Sequence, residues 1–160
     1  TNALKSLNIT NCDALFKITD NQTNEVDGPS AGIMFSIVLY GLYHNIIIPS
    51  NIYATGEVDN KGNVKPIGGL YEKVLNLCKA SRQSTIITSR ISWLEDHIII
   101  ARTSEICPAS KIIEVNTVPE AIDYVYHGIR PKKEYDDKEL TEISNLSNYA
   151  YSTSEYNSFR

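Results

Sequence analysis

Apolar residues change period several times along this chain, and each change marks an element. From position 29 to about 44 nearly every residue is apolar, with Ile33, Met34, Phe35, Ile37, Val38, Leu39, Tyr40 and Leu42 surrounding the axis. A helix apolar all round is one buried on all sides, and Pro29 suits its first turn, where a missing N–H costs nothing. Residues 51–58 and 63–67 read as strands flanking Asp59-Asn60-Lys61-Gly62, a hairpin turn in which Gly supplies positive φ. Gly68-Gly69 leads into a helix over about 70–82 with Leu70, Val74 and Leu77 as its apolar stripe. Strands follow at 84–88 and 111–115, separated by a partly helical segment over 89–101, and a last helix over 119–127 ends at Gly128. Upstream, Ala3, Leu4 and Leu7 stand at helical spacing, and 12–19 carries Ala14, Phe16 and Ile18 on one side like a strand. The polar run that follows reads as a loop. Helices and strands alternate without internal repeats, so the expected fold class is α/β, of the mixed α+β kind.

Composition adds limits to this picture. At 160 residues the chain suits one domain, and about 68–70% of its unfolded surface can be buried at such a size. The formal charge is -4 and no segment gathers basic residues, so nothing marks a nucleic-acid surface. The longest apolar stretch, 33–43, is broken by Ser36 and Gly41 and is shorter than the ~20 residues that span a bilayer. The first ten residues lack the apolar core and cleavage site of a signal peptide. Cys12, Cys78 and Cys107 are odd in number and far apart, which predicts thiols in a reducing compartment, cytoplasmic or mitochondrial matrix, rather than a disulfide or zinc framework. After Pro131 the chain turns polar and rich in Tyr, Ser and Asn, with Leu140, Ile143 and Leu146 as its only helical stripe. The expected division is therefore a domain over 1–130 and an appended extension over 131–160.

One segment invites chemistry. Asp27-Gly28-Pro29-Ser30-Ala31-Gly32 reads first as a turn and a helix start. Ser30, however, stands at the mouth of the most apolar helix, beside first-turn N–H groups that stabilise negative charge on an oxygen. A nucleophile and its oxyanion hole can share such a place. A serine needs a base. His44 ends the same helix well away from Ser30, and neither His97 nor His127 has an acid in a triad-like pattern, so all three read as surface or helix-end residues. Lys73 is the better candidate: it stands three residues after Leu70 and four before Leu77, at the edge of the stripe, with Glu72, Asn76 and Lys79 opposite. A lysine that loses hydration on an inward face favours the neutral amine a general base requires. The other reading is a stem lying along the core edge with its charge in solvent.

The block at 27–32, the block Thr55-Gly56-Glu57-Val58 and the run from Gly62 through Pro66-Ile67-Gly68-Gly69-Leu70-Tyr71-Glu72-Lys73 resemble the proteolytic domain of the Lon protease family, in the family's order and with its 43-residue separation between Ser30 and Lys73. Three motifs at matching intervals are far more specific than any one alone. The resemblance covers about residues 16–127 and implies a Lon-type fold, small mixed sheets with a buried helix following the nucleophile. It implies that Ser30 is the nucleophile, Lys73 the general base, and Thr55 the residue holding the lysine amine toward Ser30. Asp27, Gly28 and Glu57 are its supporting positions. Read on their own chemistry, Thr55 is also a good strand residue and Asp27 a turn or cap carboxylate. Tyr71 stands where the family usually has lysine, an upstream strand pair is missing, and the extension after Pro131 has no counterpart.

The implied activity is a serine endopeptidase acting on unfolded or damaged polypeptide, normally ATP-dependent and assembled as a homo-oligomeric ring such as a hexamer. No cofactor or metal is expected on this chain. It carries no Gly-x-x-x-x-Gly-Lys-Ser/Thr loop, so ATP and Mg would act only through an AAA+ ATPase module elsewhere in a parent chain. The alternatives are an idle Lon-like scaffold for oligomerisation and a self-processing maturation protease with the same dyad.

Overall fold

Ile86 and Ile87 on one strand, and Ile112 and Ile113 on its neighbour, send branched side chains to alternate faces, and that alternation sets the layers. The computed structural model describes residues 2–15, 28–81, 83–91, 93–133, 137–142 and 144–145. In chain order these form α1 (Asn2–Ser6), a 3-10 turn (Pro29–Ala31), α2 (Gly32–His44), β1 (Ile52–Thr55), β2 (Glu57–Val58), β3 (Val64–Lys65), α3 (Leu70–Ala80), β4 (Thr85–Ser89), α4 (Trp93–Ile106), β5 (Lys111–Val115) and α5 (Val118–His127). β1, β4 and β5 make a parallel sheet in that order, and β2 and β3 make an antiparallel pair. This is the mixed α/β architecture expected from the alternating pattern.

The strand order steps one way across the sheet, so two right-handed crossovers place α3 and α4 on the same face. There Val74 and Cys78 of α3 pack with Ile86, Ile91, Ile99 and Cys107 in one buried cluster. The opposite face carries the larger core: Ile87, Ile113 and Val115 meet Ile33 and Ile37 of α2 and Ala121, Ile122 and Val125 of α5. β4 is central and buried on both faces from Ile86 to Ser89, as a middle parallel strand must be. The Tyr126 hydroxyl donates to the Ile37 carbonyl at 2.7 Å, tying α5 to α2. The β2–β3 hairpin is joined to the start of α5, where Val118 N–H donates to Gly62 O and Val64 N–H to Asn116 O.

Several expectations change. α2 is buried along Ile33, Ser36, Ile37, Leu39 and Gly41, but its last turn is open, with Leu42 73% and Tyr43 63% exposed. Neighbouring elements cover only the first three turns of this helix, which no periodicity within it could reveal. The expected 51–58 strand is two strands in different sheets, broken at Gly56. Residues 12–15 carry no strand, and 16–19 lie outside the described residues. The partly helical 89–101 segment resolves into α4, which continues to Ile106.

Cys78 and Cys107, expected as free thiols, form a disulfide with their Cα atoms 5.5 Å apart. Sequence separation misleads here, because consecutive crossovers lay α3 and α4 side by side and bring the end of α4 to α3. Cys12 is free and exposed. The disulfide removes the ground on which a reducing compartment was expected. Among the described residues no helix is long and apolar enough to cross a membrane.

The start of the polar extension is tied down by charge. Lys133 pairs with Glu114 of β5, and Glu139 with Arg90, the residue after β4. Leu140 is half exposed, while Ile143 and Leu146 lie outside the described residues.

Candidate active site

Gly28 has φ 107° and ψ 151°, a conformation that L side chains rarely adopt. It turns the chain into Pro29, whose preset φ begins the 3-10 turn, and Ser30 stands in the middle of that turn, half buried. Two glycines then allow the turn to lie against the β1–β2 link. A Cβ on Gly32 would sit 2.8 Å from the Val58 backbone nitrogen, and one on Gly56 would sit 2.5 Å from Ile33 Cδ1 and 2.9 Å from Val64 Cγ1. The contact is stitched in both directions: Gly56 N–H donates to Ser30 O at 2.7 Å, and Ile33 N–H donates to Gly56 O at 3.2 Å. The Thr55 hydroxyl reaches the same Ser30 carbonyl with a longer bond of 3.4 Å.

Thr55 ends β1, and Lys73 stands one turn into α3. Gly69, in the left-handed region at φ 67°, caps that helix and sets its direction. Thr55 and Lys73 line one recess of about 80 Å³ together with Tyr53, Ala54, Val74, Leu77 and Ile86. Thr55 therefore touches Ser30's backbone through its hydroxyl and shares the recess with the lysine. The stripe-edge position of Lys73 holds, and of the two readings its spacing left open the solvent-facing one applies: its side chain is exposed. Leu70, Val74 and Leu77 carry the packing of α3, so the long stem at the edge follows the margin of the recess and its amine meets solvent.

The remaining candidates separate from this group. Glu57 is on β2, in register with Lys65 across the hairpin, and lines no part of the recess. Asp27 lies outside the described residues. His44, at the far end of α2, stacks on Tyr40 with ring centroids 4.3 Å apart, His127 ends α5 exposed, and the side chain of His97 lies outside the described residues. The role of Gly56 is one that strand-reading missed, although a glycine inside a strand pattern is a signal of a break or a close backbone approach. Thr88, the register partner of Thr55 on β4, was also missed: it is fully buried and its hydroxyl has no hydrogen-bond partner among the described residues.

The family profile described as the Lon protease C-terminal proteolytic domain matches residues 18–123. The chain is 36% identical over 98 residues to the Lon protease of Campylobacter jejuni, a match covering 61% of this chain and 12% of that protein. It is 34% identical over 100 residues to Lon protease 2 of Bacillus subtilis, covering 62% and 17%. It is 32% identical over 95 residues to the peroxisomal Lon protease homolog 2 of Mus musculus, covering 54% and 11%. The matched stretch thus spans less than a fifth of each relative's length. The stitched serine turn, the hairpin and the start of α3 all fall within residues 18–123, well over half of the 160, and by that match the chain belongs to the Lon protease C-terminal proteolytic domain family.

Proposed function

We propose that this domain is a serine peptidase working through Ser30 and Lys73. The observation supporting the pairing is that Thr55 bonds the Ser30 carbonyl and lines the same recess as Lys73. In the reaction, the neutral lysine amine takes the Ser30 hydroxyl proton as the oxygen attacks a peptide carbonyl. The ammonium returns that proton to the leaving amine, and water then hydrolyses the acyl ester. The Gly32 amide is committed to Pro29 O and the Ile33 amide to Gly56 O. The Ala31 amide closes the 3-10 turn onto Gly28, so the oxyanion would be met by the Ser30 amide, the first-turn donor that no helical carbonyl reaches. Thr55 is a positioning residue, turning the amine inward when substrate covers the recess.

The substrate class is unfolded polypeptide, since nothing in the domain would open a folded one. ATP-driven unfolding would come from an AAA+ module elsewhere in a parent chain, with several copies arranged in a ring. The test is labelling with a fluorophosphonate, followed by mapping of the adduct. The expected adduct is on Ser30, lost in Ser30→Ala and strongly reduced in Lys73→Met. Labelling elsewhere, or none on a chain in its assembled state, would favour the idle-scaffold reading.

A further inference from the structure

Beyond the C-terminal end of β4 the fold leaves a cavity of about 410 Å³, bounded by the Gly68-Gly69 turn and start of α3, by Ser89, Arg90 and Ile91, and by Ile98 and Ile99 of α4. Its volume is in the range of small-ligand sites, about 300–1,000 Å³, and it lies where open parallel sheets usually bind, outside the carboxyl ends of the strands. Ile67, Leu70, Ile91, Ile98 and Ile99 make the wall mainly apolar, and Ile98 is more than half exposed although it lines the space. Two charged side chains line it, Arg90 and Glu72.

Arg90 already holds a carboxylate. Its guanidinium pairs with Glu139, which reaches it from the extension, outside every element of the two sheets. The helical stretch 137–142 that carries Glu139 is mostly exposed, with Leu140 half in solvent, so little apolar burial holds it down. A guanidinium fork beside an apolar wall matches a group that is a carboxylate at one end and an apolar side chain at the other. We propose that this cavity binds the carboxyl-terminal residue of a polypeptide, its carboxylate on Arg90 and its apolar side chain against Leu70, Ile98 and Ile99. Glu139 pairs with Arg90 from outside the cavity lining and competes with that carboxylate for the guanidinium. Glu72 in the wall selects against acidic side chains by like-charge repulsion. The choice of a polypeptide as ligand rests on the peptidase reading, because hydrolysis of each acyl-enzyme leaves a fragment with a new terminal carboxylate. The cavity and Arg90 stand without it.

Binding is therefore measured on the full chain carrying Ser30→Ala, so that failure of the peptidase reading cannot alter the result. The probes are acetyl-Ala-Ala-Leu with a free carboxylate, the same peptide as its amide, and 4-methylpentanoate, followed by methyl NMR at Ile98 and Ile99. The expected result is saturable shifts with the free acid and at least about tenfold weaker binding of the amide, the loss of a charge-assisted contact. Arg90→Gln should erase that preference. Glu139→Gln should tighten the acid severalfold by removing a carboxylate that competes for Arg90, and it needs no change at Arg90 itself. Equal binding of acid and amide, no saturation by either, or no response to Glu139→Gln would overturn the site. Binding of 4-methylpentanoate as tight as the peptide would overturn the polypeptide as its ligand.

Discussion

The two halves of the proposed dyad are held by different means. Ser30 is placed by backbone: a glycine of positive φ before it, two glycines packed within contact of Val58 and Ile33, and N–H groups bonded across to Gly56 and back. Lys73 is placed by a helix whose apolar stripe and disulfide fix the axis, while the side chain itself is exposed. Backbone placement is rigid and survives most side-chain changes, but it tolerates no added atom at the glycines. Side-chain placement is adjustable and depends on what covers the recess. On the proposed reading the nucleophile is thus preorganised by the fold, and the base would be oriented by Thr55 and by substrate.

The largest test of that contrast is at Lys73. Lys73→Met should lower peptide turnover by about a thousand-fold or more, as removing a member of a catalytic unit does, while melting stays within a degree or two because no packing is lost. Lys73→Arg should not rescue, since a guanidinium stays protonated. A strong drop in melting temperature for Lys73→Met would instead show the stem to be part of the core.

Next in size is the cross-link between α3 and the end of α4. Its 29-residue separation predicts a loss of about 3–4 kcal/mol by loop-closure entropy when Cys78 and Cys107 are both changed to Ser, read from denaturant midpoints. Intact mass should show the untreated chain two hydrogens lighter than the reduced one. The Ser30 turn, which packs on Val58 and leads into the larger core on the other face, should keep its amide-exchange protection in the variant; loss on both sides together would mean the halves are not independent.

A smaller effect is expected at the serine turn itself. Gly32→Ala puts a Cβ at 2.8 Å from a backbone nitrogen, which must shift at a cost of about 2 kcal/mol, the usual range for overpacking. Turnover should fall more than stability suggests, because the shift moves Ser30. A variant with wild-type turnover would show that the nucleophile is not set by this contact.

The smallest is Thr88→Val. The buried hydroxyl has no partner among the described residues, so a methyl of similar shape should be neutral or stabilising by up to about 1 kcal/mol. Marked destabilisation would reveal a hydrogen bond that the hydroxyl makes in solution. A loss of turnover without loss of stability would place Thr88, beside Thr55 in the sheet, among the residues that position the base.

Much of the site was legible because it is written locally. Gly28-Pro29-Ser30 announces a turn and a helix start through φ preferences that belong to those residues alone, and the Gly68-Gly69 start of α3 and the Gly128 end of α5 are of the same kind. The β5 strand and the Asp59–Gly62 turn were equally plain, one from alternation and the other from turn chemistry. What only the tertiary structure decided depends on neighbours the local pattern cannot see. The break at Gly56 arises because Ile33 and Val64 approach its backbone, the open end of α2 because no described residue covers Leu42 and Tyr43, and the Cys78–Cys107 bond because two crossovers share one face. Lys73 shows the division in one residue. Helical spacing determined its place on α3, but the direction of a four-carbon stem at the edge of a stripe is set by the space around it, and that space is made by β1, β4 and the rest of α3, with the Ser30 turn joined to it through the Thr55 hydroxyl.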